Sequence, residues 1–537
     1  MRRDWIYRLL VAAAAGCSHV DGTRMGTNDG EAPESATRPD ASLPCPGGSP
    51  PPGVDISVEA CTSLGPLAVA YGTQQDQAHD TSSFPASADA RLASLGPAWF
   101  RIHAGADDTP AVLPESRPGV WDFTQMDRLV GKAFESGGTP MMNIRYPPPF
   151  MWSCSNPFNG ETGTVTDPTF ATFAAFVARV VSYYNAGSMT DENGTVVINP
   201  SGTAHAIQYW ELWNEPDISS ETPCTPSGMN NPALSPADYN TMWSAVSAAI
   251  LDKDPAAKLA GPAVSQPITG VSPEYVGNVF RVSHPPDVVT VHGYAGDDST
   301  SDHDMLEGSV GSGVGLAWIL ASLSQAQGVM ATARHSATPL WLDETNVSYD
   351  VGTSTGGREW TGFAAAWFGA EVIGLAALKA PSPIVYMPFE YVSPQDDQSL
   401  VDESTGAPLL SYWRDLVFSK HLTPGMHVAR LTGTSSVQAI AARDPASGRV
   451  DVLLANTATA SGSTTIGGPG TPITVTVGVG GLPSVSSVHL WMLDNSVVEG
   501  GPNGSLSAGP VGHVLAASDT ATVSFAGYGA ALLELTP

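Results

Sequence analysis

Two short runs in this chain close an apolar, aromatic segment on a carboxylic acid. Tyr209–Asp217 reads YWELWNEPD and ends on Asn214-Glu215-Pro216, and Trp341–Asn346 reads WLDETN and carries Glu344. Pro216 has no amide to give a sheet ladder, so a central strand must stop there. An acid left at such a strand tip is placed to work on a bound ligand. Glu215 reads as a proton donor, and Glu344 supplies the second carboxylate that such a donor requires. Two acids facing each other across a sugar can cleave a glycosidic bond: one protonates the leaving oxygen, the other attacks the anomeric carbon as the carboxylate. Their proximity helps to separate their pKa values, because two like charges resist joint ionisation. Asp343 and Glu390 rival Glu344 for the second role. Asp343 is expected to point the opposite way, because side chains alternate along a strand. Glu390 is placed to bind substrate instead. Glu211 reads as a buried structural carboxylate paired inside the fold.

The elements that would position these acids follow from the pattern between residues 64 and 424. Short apolar runs alternate with amphipathic segments, which predicts parallel βα units. Eight strands are expected: Leu67–Tyr71, Trp99–His103, Pro140–Arg145, Ile207–Trp213, Lys258–Pro262, Val288–His292, Leu340–Asp343 and Ile384–Phe389. Asp167-Pro168 and Ser235-Pro236 read as helix starts, a capping side chain followed by proline at the first helical position. Eight such units make a (β/α)8 TIM barrel, whose chemistry sits at the C-terminal strand ends. Glu215 and Glu344 then stand on the fourth and seventh strands, at the same rim. After Gly425 the helical periods vanish, and short strands between Gly/Ser/Thr-rich turns predict an all-β sandwich.

Several motifs together resemble glycoside hydrolase family 39, the β-xylosidase and α-L-iduronidase family of the clan A retaining glycosidases. Arg101-Ile102-His103 followed by Asp107-Asp108 is similar to the family's second-strand motif. Trp121-Asp122-Phe123 with Met126-Asp127-Arg128 resembles the helix that follows. Trp210–Pro216 is similar to the acid/base motif, Val291-His292-Gly293-Tyr294 to the sixth-strand motif, and Trp341–Ser348 to the nucleophile motif. The resemblance covers roughly residues 64–420. It implies that Glu215 is the general acid/base and Glu344 the nucleophile. Asn214 would bind the sugar 2-hydroxyl, His292 and Tyr294 would position Glu344 or touch the sugar, and Arg101 and His103 would lie on the floor of the site. Rim aromatics are candidates for stacking on sugar, Trp152 and Tyr391 foremost. Two places depart from the family pattern. Thr345 stands where the family usually has Trp, and the eighth-strand region around Tyr386–Tyr391 does not fit it. The resemblance therefore speaks to reaction class more than to substrate.

Composition narrows the partners. The chain has 537 residues and a net charge of −29, from 23 Lys+Arg against 52 Asp+Glu. Such a surface repels nucleic acid and anionic lipid, so neither is an expected partner. The expected partner is an oligo- or polysaccharide. No metal or cofactor is expected, and the acidic run Asp297, Asp298, Asp302, Asp304 reads as a solvated loop rather than a calcium site.

The N-terminus reads as an export signal: Arg2, Arg3 and Arg8, then Leu9–Gly16, then Cys17. Ala15-Gly16-Cys17 resembles a bacterial lipoprotein cleavage box, with Cys17 as the lipidation site. A lipid anchor there would be the chain's one membrane attachment, and plain secretion is the alternative. Cys45–Cys61 and Cys154–Cys224 are the expected disulfides of an exported chain. The expected organisation is a signal peptide over 1–17, a Pro/Gly/Ser-rich disordered linker over 18–60, the catalytic barrel over 61–424 and the sandwich over 425–537. The function expected of it is that of an exported retaining glycoside hydrolase, β-xylosidase-like. The alternatives are a non-catalytic carbohydrate-binding surface lipoprotein, or a transglycosylase using the same two Glu.

Overall fold

A computed structural model of the chain describes residues 48–75, 84, 86–104, 113–153, 164–218, 234–265, 272–309, 312–349, 358–378, 380–392, 398–402, 407–433, 435–459, 464–495, 513–515 and 517–537. All eight expected barrel strands form, displaced by a few residues at their ends. In chain order they are Val69–Gln74, Trp99–Ala104, Thr139–Ile144, Tyr209–Leu212, Lys258–Val264, Val288–Tyr294, Leu340–Asn346 and Ile384–Pro388. They are parallel and close into a barrel in that same order, the eighth beside the first. Sequential neighbours and helical crossovers are what parallel pairing demands.

The helix over Pro236–Lys253 begins where the sequence places it: Ser235 Oγ accepts the Asp238 amide at 3.1 Å, with proline next. The helix after the third strand starts later than expected, at Ala171 rather than Pro168. Asp167 still serves its amino end from upstream, accepting the Thr169 and Thr172 amides at 2.9 Å each. The intervening turn puts Phe170 at φ 56°.

The second layer is a nine-stranded mixed sheet that forms the β-sandwich. The short strands expected after Gly425 are present as His427–Gly433, Gln438–Arg443, Val450–Asn456, Ile473–Gly480, Ser487–Asp494, His513–Leu515, Thr520–Phe525 and Gly529–Thr536. One strand comes from the other end of the barrel. Ile56–Pro66 pairs antiparallel with His427–Gly433 and parallel with Ile473–Gly480. The boundary of linker and barrel at 60/61 is therefore corrected. Residues 56–66 belong to the sandwich sheet, so the chain enters the sandwich, builds the barrel and returns. Three of the four disulfide candidates, Cys45, Cys154 and Cys224, lie outside the described residues, as does Cys17.

Part of the sandwich sheet, Leu453, Ala455, Ala530 and Leu532 among it, joins the barrel's apolar core, while Val452, Leu454, Val475 and Leu533 belong to a core of the sandwich's own. The helix over Gly362–Ala377 lies against the strands Val450–Asn456 and Gly529–Thr536. At Gly369 a β-carbon would come within 3.2 Å of Ala455 and Ala530, so the absent side chain sets how closely the layers approach. Asp302 fastens the same seam: it is buried and accepts the Gly467 and Gly468 amides at 2.9 and 2.7 Å, beside Arg358. The acidic run is thus divided among separate partners. Asp297 caps its own turn through Ser299 and Thr300, while Asp302 serves the interface and is not solvated. Among the described residues no helix is long and apolar enough to cross a membrane.

Candidate active site

The fourth strand ends in a strained turn. Trp213 and Glu215 both take left-handed backbone angles, φ 73° and 49°. For side chains of this size that conformation costs on the order of 1–3 kcal/mol per residue and persists where surroundings enforce it. Here the Glu215 amide donates to the Ala263 carbonyl of the fifth strand at 2.8 Å, and Tyr146 donates to the Asn214 carbonyl at 3.1 Å. The turn aims Asn214 and Glu215 into the barrel mouth.

The seventh strand is irregular at the matching place. Its register against the sixth jumps by a residue, pairing Val291 with Leu342 but His292 with Glu344. A bulge of this kind re-aims side chains. It overrides the alternation expected of Asp343 and Glu344, and both carboxylates reach Arg101, at 3.2 and 2.5 Å.

Arg101, fully buried on the second strand, is the hub. Its Nε donates to Glu211 at 2.7 Å, its Nη2 to Asn214 Oδ1 at 2.9 Å and its Nη1 to Glu344 Oε1 at 2.5 Å. Its Nη1 also lies 2.6 Å from His103 Nε2 and 3.2 Å from Gln74 Oε1. With Arg101 on its Oδ1, Asn214 has its Nδ2 amide left to address a ligand. Glu344 collects further partners: the Tyr294 hydroxyl donates to Oε2 at 2.8 Å, and His103 Nε2 and His292 Nδ1 each lie at 3.3 Å. Burial alone would raise the Glu344 pKa. The His292 ring, the Arg101 guanidinium and His103 outweigh burial and hold the carboxyl well below its ordinary range.

Glu215 sits opposite, its side chain 12% exposed, with His292 Nδ1 at 2.9 Å from Oε1. His292 thus turns one ring nitrogen toward both acids. One oxygen of Glu215 and one of Glu344 lie within 4.8 Å of each other. Glu215, His292 and Glu344 are near enough together to grip a cation, but a fixed guanidinium already occupies Glu344 and makes the spot unfavourable for one.

Beneath this pair two more carboxylates, Glu211 and Asp343, share the Arg101 guanidinium with Glu344. Glu211 Oε2 accepts from Arg101 and from Asn143 Nδ2, both at 2.7 Å. Burial pushes the Asp343 pKa well up, and the neighbouring Glu211 charge pushes it further. In Glu211 the Arg101 charge and a hydrogen bond from Asp343 overcome burial and lower the pKa. Of the two, Asp343 is thus the acid that resists ionisation and is suited to donate, and Glu211 the one that favours it and is suited to accept.

The structure brings Arg101, His103, Asn214, Glu215, His292, Tyr294 and Glu344 into one cleft. It takes one candidate elsewhere: the Glu390 carboxylate turns to Arg414. Trp152 is buried, donates its ring N–H to the Pro147 carbonyl at 2.9 Å and packs near Trp213 of the fourth-strand turn. Tyr391 stands at the rim with Phe389, whose ring lies 6.4 Å from His103 and 6.5 Å from Tyr294. Asp107 and Asp108 lie outside the described residues. Gln74 and Asn143 went unseen in the sequence, although Asn143 is the one polar residue in the run Met141–Ile144.

No protein-family model matches the chain, and no curated protein matches it in sequence. Solved structures do. A monomeric β-xylosidase from Caulobacter crescentus CB15 superposes with a TM-score of 0.64 at 15% identity, over 90% of this chain and 99% of that one. A glucosidase from Croceicoccus marinus gives 0.61 at 17% identity, over 90% and 99%. A family 39 glycoside hydrolase from Xanthomonas axonopodis pv. citri gives 0.60 at 15%, over 90% and 97%. The class of molecule is therefore the TIM barrel with a β-sandwich on which these glycoside hydrolases are built. At such identities the likeness is one of fold.

Proposed function

We propose that the chain is an exported retaining O-glycoside hydrolase. The observation that carries this reading is the facing pair Glu215 and Glu344, the second held ionised by Arg101 and its neighbouring histidines. A separation within 4.8 Å suits direct attack and a covalent intermediate. An inverting pair stands about 6.5–9.5 Å apart, to leave room for water. Glu344 attacks the anomeric carbon while Glu215 protonates the leaving oxygen. Glu215 then takes a proton from the water that releases the sugar from Glu344. Asn214 Nδ2 binds the 2-hydroxyl, and Tyr294 steadies the nucleophile's outer oxygen. The substrate favoured is a β-xyloside, on the motif resemblance to family 39 and the fold shared with β-xylosidases. Export rests on the basic, apolar N-terminal run ending at Cys17.

The test is hydrolysis of aryl glycosides, β-xyloside first, by the wild type and by Glu215→Gln and Glu344→Gln. Each variant is expected to lose at least about a thousandfold in kcat/KM, since members of a catalytic unit are not replaceable singly. Nuclear magnetic resonance of the first-formed sugar should show retained anomeric configuration. Full activity in either variant would overturn the assignment, and an inverted product would overturn the covalent route.

A further inference from the structure

Glu371 lies on the helix Gly362–Ala377, outside the barrel, and is fully buried. Among the described residues it makes no ion pair. Its Oε1 lies 2.6 Å from the Thr345 hydroxyl, the residue after Glu344, and its Oε2 has no hydrogen-bond partner. The same hydroxyl lies 2.9 Å from the Gly293 carbonyl on the sixth strand. A hydroxyl has one proton and cannot donate it to both acceptors. Both contacts are satisfied if Glu371 is a neutral acid that donates to Thr345 while Thr345 donates to Gly293. A buried carboxyl with no cation on it favours that neutral form.

This chain of two hydrogen bonds ends between the residues that hold Glu344. Gly293 separates His292 from Tyr294, and both touch the Glu344 carboxylate. Thr345 pairs with Gly293 directly above the bulge that turns Glu344 inward. We propose that Glu371, as a neutral acid, is a positioning residue: through Thr345 it locks the sixth and seventh strands in the register that gives Glu344 its partners. The positioning claim rests on the glycosidase reading above, whereas the protonation claim does not.

Other groups facing Glu371 are Arg414 on the helix Leu410–His421 and Tyr386 on the eighth strand. Burial raises the Glu371 pKa from 4.5 to about 8, against the Thr345 bond and the Arg414 charge, which lower it. The folded chain thus holds a proton between those two values that the unfolded chain has released. On this account stability falls as pH rises from 4.5 to about 8 and is level above. In Glu371→Gln the amide donates to Thr345 and cannot ionise.

Three variants, Glu371→Gln, Glu371→Leu and Thr345→Val, are compared by thermal unfolding from pH 4.5 to 9 and by aryl-glycoside kinetics. Relative to wild type, the Tm of Glu371→Gln should climb with pH across that window. A pH-independent difference would overturn the neutral acid, whatever the enzyme does. In kinetics, Glu371→Leu and Thr345→Val should lose about tenfold or more in kcat with KM little changed, a misplaced nucleophile being enough for that. Glu371→Gln should restore wild-type kcat near pH 6. Equal kcat in all three would overturn the positioning role. Absence of activity in the wild type would overturn the glycosidase reading and the positioning with it, leaving the Tm series to decide the protonation state.

Discussion

The two ends of the barrel interior are built from the same strands and share almost no chemistry. Near the strand starts Trp99, Tyr209 and Trp341 pack with ring centroids 4.4–5.4 Å apart, over Met141 and Val288. Two residues further along, on the same face of each strand, the interior becomes ionic. Trp99 gives way to Arg101 and His103, Met141 to Asn143, Tyr209 to Glu211, and Trp341 to Asp343. The lower layer stabilises by burying apolar area and needs no particular geometry beyond filling space. The upper layer buries several charges, and each is tolerable only because another group answers it. This is the division expected of a barrel whose lower end holds it together and whose upper end works on a ligand.

The comparison breaks most visibly at Arg101. Arg101→Met keeps the volume and removes the cation shared by Glu211, Glu344 and Asp343. Orphaned buried charges of this kind cost about 3–5 kcal/mol, so chemical unfolding should show a loss of that size together with loss of the proposed glycoside hydrolysis. The pH dependence has a definite sign. The Glu344 pKa is depressed in the folded state, so its contribution is present above the unfolded carboxyl's pKa and is lost as pH falls through the folded one. That acid-side contribution should shrink in the variant, which keeps His292 and His103 beside Glu344. An unchanged unfolding midpoint would mean that Arg101 is not the counter-ion of this layer.

Trp341→Ala attacks the lower layer instead. A large ring removed from a packed floor costs about 3–5 kcal/mol through lost burial and a residual cavity. The surviving folded protein should keep the KM and most of the kcat of the proposed hydrolysis at low temperature, because the ionic layer stands on other residues. If kcat fell as far as in Arg101→Met, the two layers would not be separable, and the floor would be setting the geometry of the mouth.

How much of this was legible differs between the same two regions. The strands and their order followed from apolar runs, and the acids of the mouth followed from motifs at strand ends, because both signals are local. The bulge at Asp343 was not legible. It arises from the fit of the seventh strand to the sixth, and a one-residue slip there changes where two adjacent carboxylates point. Glu390 was misplaced for a related reason: its partner Arg414 lies on a helix that sequence spacing does not connect to it. Ile56–Ala60 did carry a signal, a period-two alternation in which Ile56, Val58 and Ala60 are buried. It was hidden beside a Pro/Gly-rich stretch, and its partner strands lie more than 350 residues further on. Glu371 is the lone charged residue of an apolar helix, and only the contact with Thr345 gives it meaning.

The smallest expected effect is the finest test of the charge balance. Asp343 resists ionisation because burial and the Glu211 charge raise its pKa. Asn at this position can donate an amide N–H to Glu211 just as the acid does. Asp343→Asn should therefore stay within about 1.5 kcal/mol of wild type, the scale of one hydrogen bond. The raised pKa also fixes the trend. The unfolded Asp ionises near its ordinary value of about 3.9, while the folded one resists, so wild-type stability is eroded as pH rises above that point. Asn escapes this, and the variant should gain on wild type in urea unfolding between pH 4 and 8. Asp343→Ala supplies the contrast: it strands a Glu211 oxygen without a donor and should cost about 1–3 kcal/mol. If Asn cost as much as Arg101→Met, Asp343 would be ionised. The upper layer would then hold three carboxylates against one guanidinium, and the deficit would have to be met by a protonated histidine at the mouth.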